Sequence, residues 1–145
     1  MLWYHQKQVW YHEFPVFEPS KECMAMIEGL RIIQKETYIR FDFTGQFSEV
    51  TGKQCIDAMV EACSQLQVSK ALLDCRKMTG EIKILESFTV AEYGGKMRGF
   101  LSKTALVGRE DQMLPDNFVE NVAVNRGVNL KIFTDVEEAI DWIKE

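Results

Sequence analysis

Histidine is almost missing from this chain, and both copies lie near the N-terminus. His5 and His12 are the only imidazoles among 145 residues, so residues 30–145 contain none. A serine or cysteine nucleophile usually needs a neighbouring histidine as its base. We therefore do not expect a Ser-His or Cys-His hydrolase, and the sequence predicts a non-enzymatic protein.

Phosphate-binding loops and metal-binding motifs are also missing. No GxxxxGK[ST] motif is present, and no GxGxxG motif follows a strand. The cysteines, which form no CxxC pair and have no histidine near them in sequence, are Cys23, Cys55, Cys63 and Cys75. A zinc site needs several such ligands at close spacing. We therefore expect reduced, buried thiols, with no metal and no cofactor.

Neither long apolar runs nor concentrated positive charge is found. No segment approaches the ~18 consecutive apolar residues of a membrane span, and no signal peptide is recognisable, so we expect a cytoplasmic protein. The chain has seventeen basic and twenty-two acidic residues, which gives a formal net charge of −5. Because nucleic-acid binding through phosphates needs a positive surface, we do not expect a nucleic-acid partner.

What the chain does contain begins with an aromatic leader. Residues 1–29 include Trp3, Tyr4, Trp10 and Tyr11, and Pro15 argues against a helix or a central strand there. Aromatic side chains are costly to leave in water, so such an arm is expected to dock. We predict an extended arm that docks on its own domain or on a second subunit, which favours a homodimer or a protein partner.

Residues 30–145 alternate between short apolar runs and helical patterns. Two strands at residues 31–34 and 38–43 are predicted to form a hairpin, and later strands are predicted at residues 70–74, 104–107 and 130–133. A capping box at residues 51–54 predicts the first helix, which should end near Gln67. Leu85, Phe88 and Ala91 indicate a second helix, Pro115 the start of a third, and Asp135 the cap of a fourth. This order predicts an α/β fold with a mostly parallel open sheet, an antiparallel edge hairpin and about four helices.

Three segments resemble the SpoIIAA-like family of STAS/SEC14-domain proteins, in the STAS superfamily. They read FTGQFS at residues 43–48, ALLDCR at 71–76, and VAVNRGVNLKIFTD at 122–135 followed by EAIDW at 138–142. The likeness covers about residues 30–145. It implies a regulatory or protein-interaction module, and the SEC14 part of the group's name suggests, as the alternative, a carrier of small apolar ligands.

Many STAS proteins carry a serine after the central strand that a kinase phosphorylates. Here Cys75 follows Asp74, so the Asp-Ser pair of that switch is absent. Thr79 and Ser87 are the hydroxyls nearest to that position and are the candidate phosphoacceptors, in a context that does not match the family motif.

Two candidate binding sites follow from the predicted fold. Ligands of open α/β sheets bind beyond the carboxyl ends of the strands, so an anion site is a hypothesis there, and its residues are Asp74, Arg76, Thr79, Gly108 and Arg109. The competing interpretation is that these residues are solvated loop residues and helix caps. A carrier would instead need an adaptable apolar pocket, for which the candidates are Met24, Met26, Met59, Met78 and Met97.

Overall fold

The computed structural model describes residues 27–145, which form one five-stranded sheet with four α-helices. The strands lie in chain order across the sheet: β1 Leu30–Gln34, β2 Ile39–Phe43, β3 Lys70–Asp74, β4 Lys103–Val107 and β5 Leu130–Phe133. The α-helices are α1 Glu49–Leu66, α2 Ile84–Tyr93, α3 Phe118–Asn125 and α4 Val136–Lys144. Strands β1 and β2 pair antiparallel and the other three pairings are parallel, so the predicted fold class is confirmed.

The connections place three helices on one face of the sheet and one on the other. Each parallel crossover proceeds to the next strand in the same direction, and crossovers of one hand then put α1, α2 and α3 on the same side. We call this side, which bears Phe41, Leu73 and Thr104, the three-helix face. The opposite side, which bears Leu72, Ala105 and Val107 under α4, is the one-helix face.

The N-cap of helix α1 lies three residues before its predicted position. The N-cap is Ser48, whose Oγ accepts a hydrogen bond from the Thr51 amide at 3.1 Å, while Thr51 Oγ1 accepts one from the Ser48 amide at 2.9 Å. The prediction of a capping box at residues 51–54 is therefore wrong. Thr51 instead occupies the third helical position of a capping box whose N-cap is Ser48, because this earlier serine satisfies the free amides of the first turn. The end of the helix is as predicted, with Gln67 as its C-cap.

The second and third helices also differ in detail from expectation. Helix α2 ends at Tyr93 and continues as a 3-10 turn, Gly94–Met97, so the two glycines mark the helix end. Pro115 starts a separate 3-10 turn, and α3 begins only at Phe118 because Asp116 and Asn117 adopt left-handed φ angles of 60° and 53°. The sequence pattern could not place this break, which lies between two helical segments.

Most of residues 1–29 lies outside the described residues, apart from Ile27, Glu28 and Gly29, and so does Cys23. The predicted arm and its docking therefore stay predictions. Across residues 27–145, no helix has both the length and the apolar composition that crossing a membrane requires.

Candidate functional site

The three-helix face contains an apolar cavity of about 260 Å³. Its floor is the sheet, through Leu73, Thr104 and Leu130, and its walls come from α1, α2 and α3. The space is concave, mostly apolar and partly open to solvent, as small-molecule sites usually are. The cavity is therefore the first candidate for a binding site.

The orientation of helix α2 leaves this space unfilled. Ser87, Val90 and Ala91, none of them larger than valine, line the cavity, as does Gly94 directly after the helix. Its large apolar residues point to solvent instead: Leu85 is 77% exposed and Ile84 is 50% exposed. The predicted helix is confirmed, but Leu85 and Phe88 do not form its buried face.

The loop after β4 closes the cavity at the carboxyl edge of the sheet. Gln112 donates from Nε2 to the Cys75 carbonyl at 2.9 Å and accepts at Oε1 from the Arg109 amide. A Cβ on Gly108 would lie 2.8 Å from Met113 Cε and 3.0 Å from Gln112 Oε1. Gly108 thus lets the ends of these two side chains lie close to the backbone, and the loop brings Met113 into the cavity wall.

Thr104 lines the cavity with a fully buried hydroxyl oxygen for which the structure gives no hydrogen-bond partner. It lies on β4, 2% exposed, between Ala71 on β3 and Leu130 on β5. Neither neighbour can accept or donate through its side chain. A buried hydroxyl without a partner costs about 1–3 kcal/mol, so an apolar residue would stabilise this position better unless the hydroxyl has another use.

The cysteines of the cavity wall behave as apolar groups. Cys55 and Cys75 line it, and Cys63 is buried in the same core. Burial raises the pKa of Cys55 and of Cys63 to about 12, and burial likewise raises the pKa of Cys75. Because the thiolate is the nucleophile and the metal ligand, these protonated thiols lack that reactivity. The three described thiols are buried and unpaired, as predicted.

No Asp, Glu, Lys, Arg or His belongs to the described lining of the cavity. Within residues 27–145, moreover, no cluster of three or more His, Cys, Asp or Glu side chains is placed to hold a metal ion. The cavity thus provides apolar contact and a few neutral hydrogen-bonding groups. Its chemistry is suited to binding a neutral molecule.

No protein-family model matches this chain, and no curated protein matches it.

The predicted anion site is brought together in space, but its arginines already have partners. Asp74 receives Arg76 Nη2 at 2.8 Å and Arg40 Nη2 at 2.9 Å. Arg109 pairs with Asp111 through Nε at 3.0 Å and donates from Nη1 to the Arg76 carbonyl. Since carboxylates and carbonyls occupy both predicted guanidinium groups, an anion would have to displace them.

Asp74 itself lies in a polar cleft of about 450 Å³ on the one-helix face, whose other charged residues are Arg31, Arg40, Asp42, Arg76 and Lys77. Burial alone would raise the pKa of Asp74, but hydrogen bonds and charge from Arg76 and charge from Arg40 hold that pKa below its usual value. Asp74 is therefore a carboxylate that holds the ends of β2 and β3 together. The buried polar group of the cleft, the Asp74 carboxylate, thus has partners, whereas the buried Thr104 hydroxyl of the cavity has none in the structure.

The two candidate phosphoacceptors have opposite environments. Thr79 is exposed, and its backbone pairs with Gly45 and Phe47 across an isolated bridge. Ser87 is 5% exposed and faces the cavity. A kinase could reach Thr79 in this conformation but could not reach Ser87.

Sequence reasoning missed the cavity as such, although it named part of its wall. Met59, Met78 and Met97 line it, as the carrier hypothesis required, while Met24 and Met26 lie outside the described residues. A signal was available in α2, where Ser87, Ala91 and Gly94 recur at helical spacing opposite Leu85. Recognising the cavity from this spacing requires knowing that the side of α2 with the small residues faces the sheet.

Proposed function

We propose that this protein binds a small apolar molecule in the cavity of the three-helix face and acts as a carrier, without catalysing a reaction. One observation carries the proposal: a 260 Å³ apolar pocket lies between the sheet and its three helices, although large apolar side chains point outward from α2. Apolar cavities of protein cores bind apolar guests without further charge or metal.

The volume sets the size of the guest. A cavity of about 150 Å³ holds benzene, which has six non-hydrogen atoms. By simple proportion, this cavity holds a molecule of roughly ten. The lining methionines Met59, Met78, Met97 and Met113 can adjust their rotamers, so the site suits a class of related shapes.

Titration with 1-methylnaphthalene, followed by its fluorescence, tests this proposal on the full chain. We expect saturable 1:1 binding with a dissociation constant below about 1 mM, which corresponds to about −4 kcal/mol. Ala91→Leu places three extra carbon atoms in the cavity and should weaken binding at least tenfold. Leu85→Ala alters the exposed side of the same helix and should leave the affinity unchanged.

Native mass spectrometry of the freshly purified protein provides an independent measurement. A retained small molecule that organic solvent extracts, and that is absent from Ala91→Leu, would support the carrier function. Absence of saturable 1-methylnaphthalene binding, or equal binding by the wild type and Ala91→Leu, would refute it.

Membership of the SpoIIAA-like family, with a regulatory role through protein contacts, stays a second proposal. The observation in its favour is the exposed apolar side of α2, formed by Ile84, Leu85 and Phe88. Exposed apolar groups that adjoin one another are typical of interaction surfaces. Light scattering of the full chain and of a Leu85→Ser variant would test it: a dimer that the substitution dissociates supports the proposal, and a strict monomer opposes it.

A further inference from the structure

We propose that the ligand of the cavity is a neutral molecule with a single hydroxyl or carbonyl oxygen, which hydrogen-bonds to Thr104 Oγ1 at the inner end of the site. This inference deepens the proposed function and rests on it. It names the chemical class of the ligand and the residue that selects it.

The first argument is the isolation of the hydroxyl. Thr104 is buried, its Oγ1 has no partner, and the residues beside it on the neighbouring strands, Ala71 and Leu130, are apolar. Valine has nearly the same shape and favours strands equally, yet it lacks the hydroxyl. A threonine here is useful to a guest that brings a donor or an acceptor, because its hydroxyl can act as either.

The second argument is the absence of charge from the described lining. A carboxylate or ammonium group placed in such a cavity would lose its hydration without gaining a counter-ion, which strongly disfavours the charged form. The two arginines at the carboxyl edge of the sheet, Arg76 and Arg109, are engaged with Asp74, Asp111 and backbone carbonyls. The site therefore favours alcohols, phenols, ketones and similar neutral oxygen compounds over fatty acids and amines.

The third argument concerns orientation. Thr104, Leu106 and Gly108 lie on the same face of β4, with Gly108 at the carboxyl edge, where the loop carrying Met113 closes the cavity. Gly108, directly after β4, is four residues on from Thr104, a distance of roughly 13 Å along extended chain. The ligand thus lies with its oxygen at the inner end and its apolar body towards the loops.

The experiment measures the binding of two probes of equal size to three proteins: the wild type, Thr104→Val and Thr104→Ser. 1-Naphthol carries the hydroxyl, and 1-methylnaphthalene replaces it with a methyl group. We expect the wild type to prefer 1-naphthol, and Thr104→Val to weaken 1-naphthol about fivefold to tenfold, the effect of one neutral hydrogen bond, without weakening 1-methylnaphthalene. Thr104→Ser keeps the hydroxyl and should keep the preference, and thermal melts of each variant verify folding.

The outcomes separate this inference from the proposed function. If both probes bind the wild type and Thr104→Val changes their affinities equally or not at all, the inference is wrong and the carrier function stands. If 1-methylnaphthalene does not bind the wild type, the carrier function fails and the inference fails with it. Loss of the 1-naphthol preference in Thr104→Val, with recovery in Thr104→Ser, supports both.

Discussion

The two faces of the sheet are packed in different ways. On the one-helix face, α4 alone covers the centre, and Leu72, Ala105, Val107, Ala139 and Ile143 are completely buried. On the three-helix face, three helices supply more apolar side chains but leave a 260 Å³ cavity. A larger number of covering helices therefore does not give denser packing. The packing density depends on which side chains each helix turns towards the sheet.

The charges follow the same division. The salt-bridged cluster of Arg40, Asp42, Asp74 and Arg76 lies on the one-helix face, and the described wall of the cavity has no charge. One face is thus built for stability, with its apolar groups packed and its buried carboxylate paired. The other gives up packing contacts where binding is proposed.

The largest difference is expected from the same truncation on each face. Ile143→Ala removes a fully buried side chain from the dry core under α4, and we expect a loss of about 4 kcal/mol in the free energy of unfolding. Ile56→Ala removes a side chain that already borders the cavity and makes fewer contacts, so about 2 kcal/mol is expected. Urea denaturation measures both. An equal or larger loss for Ile56→Ala would contradict the comparison.

The converse substitution adds volume to each face. Ala139→Leu forces three carbon atoms into a site with no free space, and should cost about 1–3 kcal/mol. Ala91→Leu places the same atoms in the cavity, where we expect no loss beyond about 0.5 kcal/mol, because new contacts offset any strain. Thermal and urea unfolding of the two variants decide the matter, and a destabilised Ala91→Leu would mean that the cavity is not free space.

Asp74 tests the polar part of the one-helix face. Because its pKa is lower folded than unfolded, its stabilising contribution is present above the unfolded pKa near 4 and is lost as the pH falls through the folded value. Asp74→Asn should cost about 1–2 kcal/mol at pH 7 and should reduce the loss of stability in acid. The measurement is urea unfolding from pH 7 to pH 3.

Asp111→Asn is the matched control for this prediction, since it removes a carboxylate that pairs with Arg109 at the exposed surface. Its effect should be smaller than that of Asp74→Asn at every pH. Identical pH profiles for the wild type and Asp74→Asn would show that this carboxylate does not govern the acid response.

The smallest effect is expected at the end of α2. Gly94 has helical backbone angles, and a Cβ there would lie 3.3 Å from Met97 Cε, the far end of a flexible side chain, and 3.6 Å from Ile56 Cδ1. Gly94→Ala should therefore stabilise the protein by about 0.5 kcal/mol while trimming the cavity. Gly127→Ala should destabilise it, since φ there is +84° and the Cβ would meet Arg98 Cδ at 2.8 Å. A calorimetric melt in which Gly94→Ala is the less stable of the two would refute this assignment.

Much of the fold was predictable because its signals are local. The five strands were predicted within one residue at each end, and Gln67 and Asp135 cap helices where expected. The misplaced cap of α1 shows the limit of local patterns, since Ser48 and Thr51 both fit a capping box, and the path of the chain into the helix chose Ser48.

The candidate site was predictable only in part. The carboxyl edge was the right place to look for loops that meet, and Arg76 and Arg109 do come together there. Their pairing with Asp74 and Asp111 depends on side-chain geometry, so the sequence could not show that their charge is already used.

The sequence alone determined the α/β class, the order of the elements and the burial of the described thiols, because periodicity, turn residues and caps act within a few neighbouring residues. Only the tertiary structure decided that α2 turns its small residues inward, that a cavity results, and that Thr104 faces it from β4. Those outcomes depend on how three helices share one face of a sheet, and contacts between distant segments leave no mark in any local pattern.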